Sequence, residues 1–381
     1  MIYLDNAATS GKKPQSVINS VNDCMYRFNA NPGRSGHNLS IAAALKVYET
    51  RKELADFFGA DGAENVVFTM NCTESLNFVI KGVLKKGDHI IISDLEHNAV
   101  MRPLYKTGLN FDVASVCLDN DEETVGNFCR LINKNTKMII CTAASNVCGK
   151  ILPLKKIGDL CADRGIFFTV DAAQGAGILP INMKEMNIDF LCIAPHKGLY
   201  APMGTGVLIA TRKIENTIIE GGTGSDSLNL KQPEIMPEML ESGTTNLPGI
   251  FGISAGLNFL KKKKISQIYQ HEIQLIQTLY KRLKHMENIV LYTPYPAFES
   301  FAPVLSFNVL GVPSDECSAH LNKYGIFTRA GLHCAPLAHK KLGTAQNGTV
   351  RVSPGYFNNK NEIVSLIECI RNFKKVTNHY N

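Results

Sequence analysis

Short apolar segments rich in β-forming residues alternate with segments of helical period through the first two-thirds of the chain. The seven apolar segments, each typical of a buried strand, are Val66–Thr69, His89–Ser93, Phe111–Leu118, Met138–Thr142, Ile166–Asp171, Asp189–Ala194 and Val207–Ala210. Segments of helical period lie between them, for example at Ile41–Phe58, Glu74–Leu84 and Leu154–Arg164. Strands that are apolar on both faces and separated by helices predict an α/β fold with a mostly parallel, seven-stranded sheet.

A change of pattern near Glu220 indicates a second, smaller domain. A loop rich in glycine and serine begins there, and long helical patterns run from Gly249 to about Met286. Isolated strand and helix patterns follow, which is typical of an α+β domain. We therefore predict an arm of residues 1–15 that packs on the small domain and a large domain of residues 16–250. The long helices and the small C-terminal domain then occupy residues 251–381.

The composition is that of a folded protein without a membrane anchor. Hydrophobic residues make up 45% and charged residues 19% of the 381 residues, which excludes a disordered chain. No run of about 18 apolar residues occurs, and the N-terminus lacks a secretory pattern, so we expect no membrane association. The net charge is +6, and its one dense cluster, Lys261–Lys264, has no interleaved aromatic residues. We interpret that cluster as a solvated helix face and expect no nucleic acid partner.

The eleven cysteines contain no CxxC pair, so the sequence predicts neither a zinc site nor a thioredoxin-type motif. Several of them, such as Cys141 and Cys192, lie in apolar stretches, as free buried thiols do. Free thiols persist in reducing compartments. We therefore expect a cytoplasmic protein that binds no metal.

Candidate chemistry follows the ends of the predicted strands, because open α/β sheets bind ligands at the carboxyl ends of their strands. Thr73 and Glu74 come after the first strand, at the start of a helix whose free N–H groups can bind an anion. His97 follows the second strand, where an imidazole can act as a base or stack on a ring. A structural alternative stays open for both sites, since Thr73 and His97 can also cap the helices that follow them.

Three further strand ends carry polar residues. Asn146 follows the fourth strand, and Asp171 ends the fifth, with Gln174 three residues later. A buried carboxylate needs a cationic partner, although Asp171 can also cap a helix. His196 and Lys197 follow the sixth strand, where a lysine that loses its hydration can act as an amine nucleophile. A surface lysine is the alternative interpretation of Lys197.

The predicted small domain contributes two arginines and a cysteine, namely Arg329, Arg351 and Cys334. Either guanidinium can bind a carboxylate through two parallel hydrogen bonds. Cys334 lies beside His333 in a loop that contains glycine, a setting typical of an activated thiol. A small buried hydrophobic side chain is the alternative interpretation of Cys334.

Six motifs in chain order together resemble one family. They are Thr-Glu-Ser at 73–75, Glu-His-Asn at 96–98, Ser-Asn-Val-Cys-Gly at 145–149, Asp-Ala-Ala-Gln at 171–174, His-Lys at 196–197 and Arg-Ala-Gly-Leu-His-Cys-Ala at 329–335. The chain resembles the class V, fold-type I pyridoxal-phosphate (PLP) enzymes, and within them the cysteine desulfurases and selenocysteine lyases. The resemblance runs from Leu4 to Ser353, and the RxGxxC spacing resembles the second group of desulfurases. Glu220–Ser225 and Glu241–Thr244 also resemble one subgroup.

The chain departs from the family pattern at three positions close to the expected cofactor. Ala194 stands where a residue with a hydroxyl group is usual, and Cys72 stands where glycine or threonine is frequent. Gly198 adds a residue after the lysine relative to the common desulfurase pattern, a feature that the resembling subgroup shares. These departures bear on the affinity for the cofactor rather than on the type of reaction.

The resemblance implies a role for each candidate residue. The residues expected to contact PLP are Thr73, Glu74, His97, Asp171, Gln174, His196, Lys197 and Thr244. Among them, Lys197 binds the cofactor covalently, Asp171 faces the pyridine nitrogen, and Thr244 reaches the phosphate of the other subunit in a homodimer. The residues expected at the substrate are Asn146, Arg329 and Arg351. The catalytic residues implied are Lys197, His97 and Cys334.

By the same resemblance, Cys334 decides the reaction. Its thiolate attacks the sulfur of L-cysteine, L-alanine is released, and the sulfur stays on Cys334 as a persulfide for a sulfur-acceptor protein. Selenocysteine lyase activity on L-selenocysteine is the alternative, because a selenolate is the better leaving group. Transamination, kynureninase-like C–C hydrolysis and a non-catalytic role on the same fold also stay open, but none of them requires a cysteine at this position.

Overall fold

A computed structural model describes residues 1–33, 35–224 and 227–372. Ser225, the last residue of the glycine-rich stretch, lies outside the described residues. The strands in chain order are β1 (Ile2–Tyr3), β2 (Val66–Thr69), β3 (His89–Ser93), β4 (Asn110–Ala114), β5 (Thr136–Thr142), β6 (Phe167–Asp171), β7 (Phe190–Ile193), β8 (Gly206–Ala210), β9 (Ile289–Leu291), β10 (Leu305–Val309), β11 (Ile326–Phe327), β12 (Arg329–Gly331) and β13 (Thr349–Val352). The helices are α1 (Gln15–Arg27), α2 (Asn38–Phe58), α3 (Cys72–Val83), α4 (Asn98–Thr107), α5 (Asp121–Leu131), α6 (Leu154–Arg164), α7 (Leu247–Lys263), α8 (Ile265–Leu283), α9 (Ser314–Lys323), α10 (Pro336–Lys341) and α11 (Lys360–Arg371).

The central sheet confirms the prediction of a mostly parallel, seven-stranded arrangement. Its strand order is β2-β8-β7-β6-β5-β3-β4. The pairs from β4 through β3, β5 and β6 to β7 are parallel, whereas β8 runs antiparallel to both of its neighbours. All strands except β4 are buried along most of their length, which is why their sequences are apolar on both faces.

The edge strand β4 is shorter than the predicted strand Phe111–Leu118. It pairs with β3 alone, and its last residue, Ala114, lies opposite Ser93, the last residue of β3. The backbone N–H of Val116 then donates to the side chain of Asp94 at 3.1 Å, so the chain has already left the sheet. The prediction of a strand to residue 118 was therefore wrong. Val116 is buried although it lies in a loop, so it continued the apolar pattern of the strand beyond its end.

The chain divides into two compact units. The larger comprises residues 12–143 and 152–266 and contains the seven-stranded sheet. The smaller comprises residues 1–11, residues 144–151 and the described residues from 267 onward. These bounds differ from the predicted division after residue 250, since α7 stays whole within the larger unit.

The smaller unit is an α+β assembly. Its main sheet has the order β12-β13-β10-β9, with antiparallel pairing throughout. A second, two-stranded sheet joins β1 in parallel to β11, so the first residues of the chain belong to this unit. Every helix in the described part of the chain is too short or too polar to cross a membrane.

Candidate active site

The candidate residues fall into two clusters, one in each unit. The larger unit holds Thr73, Glu74, His97, Asp171, Gln174, His196, Lys197 and Thr244. The smaller unit holds Asn146, Arg329, Cys334 and Arg351. In the larger unit, most of the cluster follows the carboxyl ends of β2, β3, β6 and β7, which is the edge where an open α/β sheet binds ligands.

Asp171 ends β6 and is buried, with 3% of its surface exposed. Its Oδ1 accepts a hydrogen bond from the backbone N–H of Ala173 at 2.9 Å and another from the thiol of Cys72 at 3.5 Å. The first bond caps the turn that contains the half-buried Gln174. Asp171 therefore caps a turn and also brings a buried carboxylate to the edge of the sheet.

Cys72, the first residue of α3, shares this buried position. Burial, and then the negative charge of Asp171, raise the pKa of the Cys72 thiol well above its ordinary value, while the positive charge of Lys197 lowers it. The thiol thus stays protonated at neutral pH and can donate to Asp171. Because Asp171 and Lys197 act on the same thiol, both side chains lie within electrostatic reach of it.

Lys197 lies in a tight loop after β7. Its backbone N–H donates to the carbonyl oxygen of Ala194 at 3.1 Å. The loop packs directly on the turn that follows Asp171, since a Cβ atom at Gly198 would lie 2.1 Å from the carbonyl oxygen of Ala176. Gly198 is the glycine that permits this close approach.

A second lysine holds the peptide that precedes Lys197. The Nζ of Lys13 donates to the carbonyl oxygen of His196 at 3.0 Å. Burial, and then the charges of Lys197 and Lys13, lower the pKa of His196 to about 4, so its imidazole is neutral at pH 7. Burial lowers the pKa of Lys13 itself to about 8. Sequence reasoning missed Lys13, because its partner His196 lies 183 residues further along the chain.

Asn71, rather than Thr73, is the N-cap of α3. The side chain of Asn71 accepts a hydrogen bond from the N–H of Glu74 at 3.0 Å, and the Glu74 carboxylate accepts one from the N–H of Met70 at 2.6 Å. The capping interpretation of Thr73 is therefore wrong. Thr73 is exposed in the first turn, at the positive end of the helix dipole, where an anion is stabilised.

His97 caps α4, which confirms the capping interpretation of this residue. Its Nδ1 accepts a hydrogen bond from the N–H of Ala99 at 3.0 Å. This bond leaves Nδ1 unprotonated, so the proton of the neutral ring lies on Nε2. The half-buried ring is thereby held in one orientation.

The residue before His97 is a buried carboxyl group that sequence reasoning missed. Glu96 is fully buried, and its Oε1 accepts hydrogen bonds from the hydroxyl of Ser93 and from the N–H of Thr142, the latter at 2.9 Å. Its Oε2 has no hydrogen-bond partner. Burial, with a further contribution from the charge of Asp171, raises the pKa of Glu96 to about 8 in spite of these bonds.

The loop that carries Thr244 is anchored by a buried ion pair. Glu241 pairs with Arg51 of α2 at 2.6 Å, and each side chain is only 9% exposed. The same carboxylate accepts a hydrogen bond from the N–H of Phe68 in β2 at 2.6 Å. The base of the loop is thus fixed, while Thr244 itself is exposed.

In the smaller unit, Arg351 of β13 is almost fully buried, with 1% of its surface exposed. Its Nη2 binds Oδ1 of Asp5 at 2.6 Å, and its Nη1 donates to the carbonyl oxygen of Asn146 at 3.1 Å. Its Nε has no hydrogen-bond partner. Sequence reasoning missed Asp5, although it belongs to the N-terminal motif at which the family resemblance begins.

Arg329 lies directly opposite Arg351 in the β12–β13 pair. Directly opposed residues of an antiparallel pair project on the same face, so two guanidinium groups share one side of this sheet. The charge of Arg329 contributes to lowering the pKa of Arg351, behind the larger effect of burial. The Asp5 carboxylate opposes this effect, since its charge and its hydrogen bond raise the pKa of Arg351.

Cys334 is the one exposed cysteine among the eleven, all of which lie in the described part of the chain and are free of disulfides. The interpretation of Cys334 as a buried hydrophobic side chain is therefore wrong. The loop that carries it is strained, since His333 and Cys334 have φ values of 50° and 56°. The side chain of Asn146 donates to the carbonyl oxygen of His333 at 2.7 Å and so holds this loop.

The sequence model of the family described as aminotransferase class-V matches residues 2–366. The chain belongs to this family. It is 33% identical to a probable cysteine desulfurase of Pyrococcus abyssi, over 98% of this chain and 94% of the relative. It is 30% identical to a cysteine desulfurase of Haloferax volcanii, over 97% of this chain and 88% of the relative.

Solved structures agree with these relatives. The apo cysteine desulfurase of Thermococcus onnurineus has a TM-score of 0.87 and 32% identity, over 97% of this chain and 93% of that one. A cysteine desulfurase of Escherichia coli, solved with an S-sulfonic acid, has a TM-score of 0.85 and 27% identity over the same shares. Within class V, the chain therefore belongs with the cysteine desulfurases, which confirms the resemblance and the fold-type I architecture.

Class V aminotransferases are PLP-dependent enzymes, and the cluster in the larger unit has the donor set that PLP needs. Lys197 supplies an amine for the carbonyl carbon, and Asp171 supplies a buried carboxylate for the ring nitrogen. The start of α3 supplies N–H groups at the positive end of a helix for the phosphate. These groups fit the cofactor in kind, and they follow the carboxyl ends of β2, β6 and β7.

Proposed function

We propose that this class V chain is a PLP-dependent cysteine desulfurase, which takes sulfur from L-cysteine and carries it as a persulfide on Cys334. The observation that carries the proposal is the exposure of Cys334. Ten other cysteines are buried or half-buried, whereas Cys334 is exposed on a strained loop that follows β12, the strand in which Arg329 lies opposite Arg351. A nucleophile that accepts and passes on sulfur must be accessible to both substrate and acceptor.

The chain would hold PLP through Lys197, Asp171 and His97, with Gln174 at the ring and with Thr73, Glu74 and His196 around the phosphate. When bound, PLP supplies an electron sink for the negative charge that develops on the substrate. Asp171 stabilises a positive ring nitrogen, and the amine of Lys197 moves protons at Cα of the substrate. The neutral His196 can offer a hydrogen bond without adding a charge.

The substrate would be bound by its carboxylate between Arg329 and Arg351, with Asn146 supporting Arg351. The thiolate of Cys334 then attacks the sulfur of L-cysteine, and a bond forms between the two sulfur atoms as the Cβ–S bond breaks. The electron pair of the broken bond goes to Cβ, which takes up a proton, so that L-alanine leaves. A thiol of an acceptor protein receives the outer sulfur by exchange, for which a reducing compartment such as the cytoplasm is suited.

The test is a product analysis with L-cysteine and a reductant, in which alanine and sulfide are measured together. We expect equal amounts of both from the wild type, and neither from Cys334→Ala, while that variant keeps the visible absorption of the bound cofactor. Cys117→Ala, at a half-buried cysteine, is the matched control and should keep full turnover. Lys197→Ala should lose the visible absorption. Unchanged turnover in Cys334→Ala would overturn the proposal.

We also propose that the chain forms a homodimer in which Thr244 of one subunit reaches the phosphate of the other. The exposure of Thr244 on an anchored loop supports this arrangement. The outer face of α2 supports it too, because it presents large apolar side chains to solvent.

A further inference from the structure

We infer that His339 is a positioning residue for Cys334, and that it acts through His333 on the loop that carries the thiol. The inference rests on the proposed role of Cys334 in the reaction. Both histidines belong to the smaller unit, and both are buried, with 4% of His333 and none of His339 exposed. No sequence motif indicated His339, which lies in the short helix α10.

A chain of three hydrogen bonds joins these histidines to their surroundings. The Nε2 of His333 lies 3.3 Å from the carbonyl oxygen of Arg329, and its Nδ1 lies 3.3 Å from Nε2 of His339. The Nδ1 of His339 lies 2.7 Å from the hydroxyl of Thr344. The two imidazole planes are nearly parallel, at 14°.

The direction of every proton in this chain can be deduced. A carbonyl oxygen only accepts, so Nε2 of His333 must carry its proton and its Nδ1 must accept. His339 therefore donates from Nε2, and its own Nδ1 accepts from Thr344. Burial, with the charge of Arg351, lowers the pKa of His333 to about 3, and burial also lowers the pKa of His339. Both rings are thus neutral, as this arrangement requires.

The chain of hydrogen bonds matters because the loop it supports is strained. His333 and Cys334 are consecutive residues with left-handed backbone, a conformation that residues other than glycine rarely adopt. Contacts that hold the loop include the bond from Asn146 to the carbonyl oxygen of His333 and the bond from His339 to the ring of the same residue. Asn146 fixes the backbone of His333, and His339 fixes its imidazole. Because Cys334 is the next residue in the chain, both contacts restrain the position of its thiol.

The experiment compares His339→Leu with His339→Gln in the holoenzyme. Leucine removes the donor, whereas the amide of glutamine can donate to Nδ1 of His333 from a similar position. We expect His339→Leu to lower kcat about 10- to 100-fold with little change in KM, because a misplaced nucleophile loses orientation rather than affinity. His339→Gln should recover most of that loss. The rate of Cys334 alkylation should change in His339→Leu and return toward the wild-type rate in His339→Gln. The Cys334→Ser variant measures the alkylation of the other cysteines, which is subtracted.

A second measurement needs no turnover. Histidine-selective nitrogen NMR should show His333 and His339 as neutral rings protonated on Nε2, and assignments follow from the variants. Thr344→Val, a milder change, should shift the His339 signals even if His339→Leu fails to fold. An alkylation rate in His339→Leu equal to that of the wild type would overturn the inference, as would a His333 ring protonated on Nδ1. If the wild type makes no alanine while both readouts behave as expected, the proposed function fails and the positioning role stands.

Discussion

Two buried carboxyl groups near the carboxyl edge of the central sheet have different surroundings. Asp171 accepts hydrogen bonds from a backbone N–H and from the thiol of Cys72. Glu96 accepts two hydrogen bonds on Oε1 and none on Oε2, and its pKa is raised to about 8. Carboxyl groups whose environments differ in this way can take different roles. A neutral Glu96 leaves Asp171 as the negative charge that a positive ring nitrogen would face.

The raised pKa of Glu96 predicts a specific dependence of stability on pH. Folding favours the protonated form, so this stabilisation is complete below the ordinary pKa of 4.5 and is lost as the pH rises through about 8. Glu96→Gln cannot ionise. We therefore expect the unfolding free energy of the wild type to fall relative to that of Glu96→Gln by roughly 1.4 kcal/mol per pH unit between these limits, as measured by denaturant unfolding.

An exposed glutamate supplies the control for this measurement. Glu122 is 78% exposed in its ion pair with Lys156, so Glu122→Gln should follow the pH dependence of the wild type. If the wild type and Glu96→Gln instead gave parallel curves from pH 5 to pH 8, Glu96 would be ionised in the folded protein.

The sequence identifies residues whose role depends on their position in a motif at a strand end. It misses residues whose role depends on contacts with distant parts of the chain. Asp171 and Lys197 were found because each follows a strand end within a motif. Glu96 was missed although its motif was quoted, because its burial depends on Thr142 of another strand. Lys13 was missed for the same reason, since its partner His196 lies 183 residues away. His339 was missed although its partners His333 and Thr344 lie only six and five residues away, because the quoted motif ends at Ala335.

One helix, one strand and one loop of the larger unit are joined by the ion pair between Arg51 and Glu241. Arg51 of α2 also donates to the carbonyl oxygen of Val66 in β2 at 2.5 Å, and its guanidinium lies 4.7 Å from the ring centre of Phe68. Glu241 belongs to the loop that leads to Thr244. The geometry is bidentate, with distances of 2.7 and 2.6 Å, so the two side chains are strictly oriented.

Breaking this ion pair should cost far more than breaking an exposed one. Arg51→Met leaves the Glu241 carboxylate buried without its partner, and we expect a loss of about 3–5 kcal/mol in unfolding free energy. The control is Lys155→Met, which breaks an exposed helical pair with Asp159 and should cost about 0.5 kcal/mol or less. Denaturant unfolding of both variants measures the difference. Equal losses would mean that Arg51 and Glu241 are solvated in solution.

Strands and helices were predictable where burial makes their sequences apolar. The fully buried strands β2 and β3 have the predicted bounds, and so does α6. The sequence pattern set no bounds for α4, although the cap interpretation of His97 implied a helix there. That helix contains Pro103 in its interior and buries Ala99, Val100, Met101 and Leu104. The pattern did not indicate α5, because only Thr124 and Phe128 of that helix are buried.

The course of the whole chain could not be read from composition. Residues 144–151 leave the larger unit and return to it within eight positions, and this short segment brings Asn146 to Arg351. No shift of composition marks such a segment. The first eleven residues are a different case: the sequence pattern predicted an arm there on the small domain, and they join the smaller unit through the pairing of β1 with β11.

Helix α2 has two apolar faces, and the two have different surroundings. One face is buried within the chain and includes Ala43, Val47, Leu54 and Phe58. The other presents Ile41, Leu45 and Tyr48 at intervals of one helical turn, and these side chains are 48%, 57% and 58% exposed. A surface helix of a monomer usually has a polar outer face. The outer face of α2 therefore fits a protein partner, and a second copy of this chain is the partner we propose.

Charged residues on that outer face should separate the two subunits. We expect Leu45→Glu combined with Tyr48→Glu to halve the mass measured by light scattering, while circular dichroism stays unchanged. Desulfurase activity should fall with the mass, because Thr244 would no longer reach the site of the other subunit. Leu310→Glu, at a leucine that is 58% exposed in the smaller unit, is the control and should keep both mass and activity. A fully active wild-type monomer would contradict the dimer and the role of Thr244 together, whereas a double variant that stays dimeric would place the interface elsewhere.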